Sequence, residues 1–359
     1  EQPFQTDICT AYQMLTYNHI LRDKLCWGKD KALYLFAKQK VDVSSFDIIF
    51  CSSYYYFPLY AAHLLAKEFN IPLAIDLRDI AEQWGDTPYF TRQITPFHKL
   101  NYWIGKLYER RQLYMRNRIL QTANIVTSIS PWHQQLLAHY NQNTHLIYNG
   151  YDADIFVPQN TISKYFYITY LGKLYSTQLR DPRLLFEALK QLIAAHQIDA
   201  SVIRVLFHTD SKGIKEIQEL GEQYKLTELL DINGYIPRQE ILPIMHKSSI
   251  LLVLTTKSTS NGTHGIMGTK FFENIGVEKP ILCVRSDEEC LADAIHKTNA
   301  GLAATNVEEV KRFILDKYHE WQQNGFTRQA VINKEQFSRE KQAQQFEQLF
   351  IHTLKSHNS

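Results

Sequence analysis

The amino-acid sequence predicts an α/β protein made of two doubly wound domains, each a parallel sheet covered by helices. Three observations carry this. Short apolar runs such as Ile250-Leu-Leu-Val-Leu254 and Pro280-Ile-Leu-Cys-Val284 show no polar alternation, which marks strands buried on both faces. From residue 46 onward such runs alternate with stretches of helical periodicity, the pattern of successive βα units. Between two sets of them, Asn149-Gly-Tyr-Asp-Ala-Asp-Ile-Phe-Val-Pro158 breaks the pattern with turn and boundary residues. With 359 residues, 45% of them hydrophobic, the chain can give each domain its own core.

In chain order, residues 1–45 contain no convincing strand, only Leu33, Phe36, Ala37 and Lys40 at helical spacing. A doubly wound domain normally opens with a strand and a glycine turn, so the front strands of this domain are expected upstream and the N-terminal domain reads as incomplete. Strands are predicted at 46–50, 72–76, 124–128 and 145–148, with helices over about 57–69, 96–122 and 131–140. Ser130, before Pro131 and Trp132, reads as a helix N-cap and not as a nucleophile. In the second set, strands are predicted at 166–171, 202–207, 229–232, 250–254, 281–284 and, weakly, 301–304. Helices fill the gaps at about 182–196, 213–224, 238–247, 269–277, 288–297 and 307–323. Residues 335–355 read as one amphipathic helix carrying Phe337, Phe346, Leu349, Phe350 and Leu354. The domains are therefore placed at 1–157 and 158–334, with 335–359 as a terminal helix.

A formal charge of +2 gives no sign of a nucleic-acid partner. The cysteines Cys9, Cys26, Cys51, Cys283 and Cys290 form no metal-binding spacing; an odd, scattered set fits a reducing cytoplasm. No apolar run approaches the ~18 residues of a membrane span. The one candidate for contact with the inner face of the cell membrane is 98–118. There Lys99, Lys106, Arg110, Arg111, Arg116 and Arg118 stand against Glu109, and Leu100, Trp103, Leu107 and Tyr114 recur at helical spacing. Such a helix lies on an anionic surface or packs with a solvated basic face.

The chemistry centres on Asn261-Gly-Thr-His-Gly-Ile-Met-Gly-Thr-Lys-Phe-Phe-Glu273. A buried strand, a glycine loop with Gly262, Gly265 and Gly268, and a helix from about Thr269 aim unpaired N–H groups outward, which suits a phosphate. Lys270 opposes its own helix dipole, a placement an anion between them would explain. Glu273, one turn on, is placed to accept from sugar hydroxyls. A second anion-facing arrangement is Leu171-Gly172-Lys173, followed by Arg180, Asp181 and Arg183; it lacks the dinucleotide G-x-G-x-x-G. Asp76-Leu-Arg78-Asp79 ends a first-domain strand, where ligands of open α/β sheets bind; Arg78 and Asp79 could also be a structural ion pair. Asp152 and Asp154 match a metal-binding D-x-D, but fall on the linker, so no metal site is assigned.

Gly268-Thr-Lys-Phe-Phe-Glu-Asn-Ile-Gly-Val-Glu-Lys-Pro-Ile-Leu282 resembles the GTKLFEYLASGKPIL signature of GT-B fold glycosyltransferases, in the retaining group called family 4 (group 1). The resemblance extends to Gly172-Lys-Leu-Tyr with Arg180-Asp-Pro-Arg183, to Gly234-Tyr-Ile-Pro237, to Asp76-Leu-Arg-Asp79 and to the 149–158 linker. It implies two Rossmann-like domains facing a cleft, with a terminal helix packing back on the first. It implies a nucleotide-diphosphate sugar as donor, a glycan or lipid-linked acceptor, no cofactor and no metal. Gly172, Lys173, Arg180, Gly268, Thr269 and Lys270 would hold the diphosphate, Glu273 the ribose, and Tyr235 and Ile236 the base. Asp76, Arg78 and Asp79 would form the acceptor side, Asp79 orienting or deprotonating the acceptor hydroxyl. Lys173 and Lys270 would stabilise the leaving diphosphate. The family's Glu-x7-Glu pattern is broken, because Gly265 stands at the first Glu. Asn261, His264 and Gly265 are the nearest candidates for the donor sugar. The implied function is a retaining transferase of surface polysaccharide assembly. The alternatives are a non-catalytic sugar-nucleotide-binding relative and a GT-B sugar-nucleotide epimerase, for which no acid/base set is evident.

Overall fold

The computed structural model describes residues 28–53, 55–84, 98–177, 179–255, 263–284 and 289–357. The chain forms two compact units, Glu1–Ile147 with Gln345–Ser359, and Tyr148–Gln344. This moves the boundary expected at 157/158 to 147/148. The reason is aromatic packing: Tyr148 meets the Phe337 ring edge-on at 5.0 Å, and buried Tyr151 joins a core with Phe271, Phe272 and Phe337. Tyr151 N–H also donates to Phe337 O at 3.0 Å, and Arg339 N–H to Tyr151 O at 3.0 Å. The linker is therefore part of the second unit. Asp152 and Asp154 belong to its turn: Asp152 Oδ1 accepts from Asp154 N–H, and Asp152 O from Phe156 N–H.

Unit 1 contains α1 (Gly28–Lys40), β1 (Ile49–Ser53), α2 (Leu59–Phe69), β2 (Leu73–Leu77), α3 (His98–Leu120), β3 (Ile125–Ser128), α4 (Pro131–Ala138) and β4 (Thr144–Leu146). Its sheet has the order β1-β2-β3-β4 and is parallel throughout. β1 begins three residues later than the apolar run Phe46–Phe50 suggests. Phe46 is exposed, whereas Cys51 and Ser53 are buried, so serines extend a strand that hydropathy alone ends early. Ser52, Asp76 and Thr127 lie side by side across β1, β2 and β3. Both hydroxyls donate to the buried Asp76 carboxylate, at 3.0 and 2.8 Å, tying the sheet across its centre.

In α3 the basic residues do not share one solvated face. Arg116 is fully buried and grips Glu82 with two hydrogen bonds, 2.8 and 2.6 Å, which corrects its assignment to the exposed basic set. Trp103, Leu107, Arg110, Arg111, Tyr114 and Arg118 recur at i, i+4, i+7, i+8, i+11 and i+15 and are all exposed, so they form one outward stripe. Among the described residues no helix is long and apolar enough to cross a membrane.

Unit 2 contains β5 (Phe166–Leu171), α5 (Arg183–Ala194), β6 (Ile203–His208), α6 (Ser211–Tyr224), β7 (Leu230–Asn233), α7 (Arg238–Lys247), β8 (Ile250–Leu254), α8 (Thr269–Gly276), β9 (Ile281–Val284), α9 (Cys290–Lys297), β10 (Gly301–Ala304) and α10 (Val307–Asn324). The strand order is β10-β9-β8-β5-β6-β7, all parallel. One face packs Phe166, Phe186, Phe207 and Ile250 with α5 and α10; the other packs Phe271, Phe272, Ile281 and Cys283. The terminal helix α11 (Arg339–His357) starts in unit 2 and runs into unit 1, where Phe346 and Phe350 each sit 5.4 Å from the Phe50 ring.

Ser130 caps α4, its hydroxyl accepting from His133 N–H at 3.2 Å. That cap turns His133 fully inward, where neither ring nitrogen has a partner among the described residues. Burial pushes the His133 imidazole down to about 4. The unfolded chain therefore takes up a proton that the folded chain refuses between pH 6.5 and 4, and stability falls as pH drops through that window. His133→Leu should remove up to roughly 3 kcal/mol of this acid sensitivity. Denaturant midpoints of both proteins at pH 7 and pH 4.5 check it: the loss on acidification should be smaller in the variant.

Candidate functional site

In unit 2 the chain leaves β5 toward β6 on one side and, after β7, returns to β8 on the other. In open parallel sheets, ligands bind where neighbouring strands send their connections apart, outside their carboxyl ends. Here that point lies between β5 and β8. The loop after β5 begins at Gly172-Lys173, and the loop after β8 leads through His264 and Gly265 to α8.

The loop after β5 is anchored strand by strand. Gly172 N–H donates to His208 O at 3.0 Å; Leu174 N–H donates to Thr209 Oγ1 and Asp210 Oδ1, both at 3.0 Å. Leu174 is thereby fixed in the core and Lys173, its neighbour, is exposed. The Lys173 carbonyl accepts from Tyr170 Oη at 3.0 Å and from Arg180 Nη1 at 2.8 Å. Lys173 Nζ and the Arg180 guanidinium both lie over the Tyr175 ring, 4.8 and 5.0 Å from its centre. The two expected cations are thus gathered on one exposed tyrosine, held in a left-handed backbone turn at φ 63°. Arg183 instead turns to Asp181, which it grips through Nε and Nη2 at the start of α5.

At α8 the N-cap is Gly268, with no side chain capping the helix start. Lys270 Nζ and Glu273 Oε2 are 2.7 Å apart, on one face and both partly exposed. A pair at i, i+3 adds only about 0.2–0.5 kcal/mol, so it cannot hold Lys270 against a doubly charged phosphate. Thr269 is exposed beside Lys270. Asn261 lies outside the described residues. His264 and Gly265 are both drawn to Glu289 at the start of α9: Nδ1 at 2.6 Å and the glycine N–H at 3.3 Å.

Space around the glycines separates two classes. A Cβ at Gly276 would strike Tyr151 and Phe156 at 2.7 and 2.8 Å, so that glycine serves packing. A Cβ at Gly268 would meet nothing within 4 Å, and one at Gly172 only the ends of the Tyr170 and Arg180 side chains, at ordinary contact distance. Neither of the two loop glycines is demanded by the protein's own packing.

Tyr235 and Ile236 follow the edge strand β7, two strand spacings or about 10 Å from β5. Tyr235 is exposed and stands beside Gly234, whose carbonyl lies 3.3 Å from His208 Nδ1. The sheet order puts β5 and β6 between the strand before this turn and the strand that leads to Glu273. In unit 1, Asp76 is buried and engaged by Ser52 and Thr127, and Arg78 Nη1 lies 3.6 Å from it; the ion pair of Arg78 is with Asp76 and not with Asp79. Asp79 accepts from Gln83 Nε2 at 2.9 Å. Burial raises its carboxyl above the usual range, with the Gln83 hydrogen bond and the Arg78 charge pulling the other way. The Asp79 turn is backed by Glu82, which is held by the buried Arg116.

No known protein family's sequence profile matches the chain, and no curated protein matches it. Solved structures do. Sucrose-phosphate synthase from Thermosynechococcus elongatus aligns with TM-score 0.60 at 14% identity, over 92% of this chain and 78% of that one. HepE from Anabaena in complex with UDP aligns with TM-score 0.58 at 16% identity, over 89% and 80%. A glycosyltransferase from Rickettsia africae aligns with TM-score 0.60 at 16% identity, over 91% and 80%. The fold is GT-B. Its two Rossmann-like units are those expected from the alternating strands and helices.

Three contributors escaped the sequence. Tyr170 and Tyr175 organise Lys173 and Arg180, yet a tyrosine in a strand or loop carries no mark of such a role. Glu289 lies one strand beyond the glycine loop, so no local spacing links it to His264.

Gly268→Ala and Gly172→Ala should leave stability within about 0.5 kcal/mol of the parent. Gly276→Ala should cost about 1–3 kcal/mol through overpacking. Thermal melts of the three variants check the contrast; equal losses at all three would contradict it.

Proposed function

We propose that the chain is a glycosyltransferase that moves a sugar from a nucleoside diphosphate to an acceptor hydroxyl, with retention at the anomeric carbon. The observation that carries this is the Lys270–Glu273 pair on the first turn of an uncapped helix, beside the point where the β5 and β8 connections diverge. The UDP bound to HepE, and the UDP and α-GlcNAc-glycerol bound to TarM, are ligands of those proteins and support the same donor and acceptor classes here.

In this reading the diphosphate displaces Glu273 from Lys270 and sits on the Thr269 and Lys270 N–H groups, with Lys173 and Arg180 across from it. Glu273, released, accepts from the ribose. Tyr235 and Ile236 flank the base. The leaving diphosphate gains charge as its bond to the sugar breaks, and preorganised cations stabilise that charge most where water is excluded. Same-face attack lets the leaving phosphate take the acceptor proton, so retention requires no carboxylate nucleophile. Asp79 is assigned to orienting the acceptor, its carboxylate accepting from a hydroxyl of that substrate, while the reacting proton goes to the leaving phosphate.

A panel of UDP-, GDP-, ADP- and dTDP-linked sugars with lipid-linked and glycan acceptors tests the reading. Lys270→Ala should lower turnover about 10²–10³-fold, and weaken nucleoside diphosphates far more than nucleosides. Asp79→Asn should lower turnover with little change in donor affinity. Binding without any transfer would favour the second reading, a non-catalytic relative, which the loss of the glutamate at Gly265 supports.

We further assign the outward stripe of α3 to the surface of an anionic membrane, as suits a transferase of surface polysaccharide assembly with a lipid-linked acceptor. Trp103, Leu107 and Tyr114, 63%, 67% and 59% exposed, would enter the headgroup region, with Arg110, Arg111 and Arg118 beside anionic lipids. Sedimentation with phosphatidylglycerol vesicles should be lost in phosphatidylcholine and reduced at least tenfold by Arg110→Glu with Arg111→Glu. Each basic residue near such a surface contributes about 1 kcal/mol.

A further inference from the structure

Tyr175 occupies a strained place in the loop after β5. Ser176 N–H donates back to Leu174 O at 2.8 Å, closing a three-residue turn with Tyr175 at its centre. Its φ is 63°, in the left-handed region that suits glycine and strains a residue with a side chain. Tyr175 is 49% exposed, so core packing does not offset that strain. The turn is nonetheless firmly fastened. Thr177 N–H and Oγ1 both donate to Glu216 Oε2, at 2.6 and 2.9 Å, and Arg180 N–H donates to Ser176 O at 2.9 Å.

What the ring meets is charge. Lys173 Nζ lies 4.8 Å and the Arg180 guanidinium 5.0 Å from its centre. Among the described residues neither cation makes an ion pair with a carboxylate. Arg180 Nη1 is committed to Tyr170 Oη and the Lys173 carbonyl. The Asp210 carboxylate senses the Lys173 charge, but accepts from Leu174 N–H and Thr209 Oγ1. Two like charges drawn to one ring repel each other, and the negative face of the ring offsets that repulsion. An acid at this place would hold both cations more strongly and cancel the charge an anionic ligand needs. A neutral ring gathers them and leaves both charges intact.

We infer that Tyr175 is a positioning residue for the donor diphosphate: its ring holds Lys173 and Arg180 together, still charged, before the ligand arrives. The inference rests on the sugar-nucleotide reading above and deepens it at the diphosphate. Lys270 is held differently, by the Glu273 carboxylate, which the ligand has to displace.

Calorimetric titration of the full chain with inorganic pyrophosphate and with UDP tests this. Tyr175→Leu should weaken both ligands about five- to tenfold, whereas Tyr175→Phe, which keeps the ring, should stay within about twofold of the parent. Trifluorophenylalanine at this position has nearly the shape of phenylalanine but a ring face drained of negative charge, so it should bind like Tyr175→Leu. Tyr175→Glu should weaken both ligands further, because it neutralises the cations it holds. Equal affinities with phenylalanine and trifluorophenylalanine overturn the inference, since shape alone then explains the effect. Unchanged or tighter binding by Tyr175→Leu overturns it too, the ring then being idle or a competitor of the ligand. A melting temperature and an affinity that fall alike in Tyr175→Phe and Tyr175→Leu mark a loop pin and also overturn it. Lys173→Ala and Lys270→Ala are the controls: if both leave pyrophosphate binding unchanged, the donor-site reading falls and takes this inference with it. If they weaken it while Tyr175→Leu does not, only the role of Tyr175 is lost. An unmodified chain that binds neither ligand overturns both.

Discussion

The divergence of connections between β5 and β8 governs what unit 2 can do. In an all-parallel sheet the backbone at every strand end points its helix-starting N–H groups the same way. Only where two neighbouring connections depart in opposite directions is there room for a ligand to reach them. Lys173, after β5, and Lys270, after β8, therefore share one edge although nearly a hundred residues of chain separate them. The cores on the two sheet faces hold that edge in place: Phe166, Phe207 and Ile250 on one side, Phe271, Phe272 and Ile281 on the other.

The edge combines firm and yielding parts. The β5 loop is fastened by Thr209, Asp210, Tyr170 and Arg180, so the Lys173 backbone is set before any ligand arrives. The Lys270–Glu273 pair is the opposite, a half-exposed contact of small energy. A contact of this kind yields readily to a stronger anion.

Much of this was legible in the residues. Strands buried on both faces announce themselves by uninterrupted apolar runs, and β8 and β9 match theirs residue for residue. The glycine loop, the lysine at the helix start and the glutamate one turn on were visible because they are close neighbours in the sequence. What escaped depends on pairing across the fold. Ser52 and Ser53 look like loop residues until Asp76 and Leu77 of β2 are beside them. Arg116 looks like a surface cation until Glu82 is found at its guanidinium. Glu289 looks like an ordinary residue ahead of a helix until β9 is set next to β8. The boundary at 157/158 failed for the same reason: Asn-Gly and Pro are true turn signals, but the Tyr148 and Tyr151 rings decide which core the turn joins.

The course of α11 bears on how the protein is made. Phe50 meets the rings of Phe346 and Phe350, and His357 Nε2 reaches Asn70 O at 3.1 Å. During synthesis, the part of unit 1 before residue 148 lacks this strip of packing until 345–359 have followed unit 2. Unit 2, whose residues are contiguous, can be finished first. The order of completion thus runs against the order of translation.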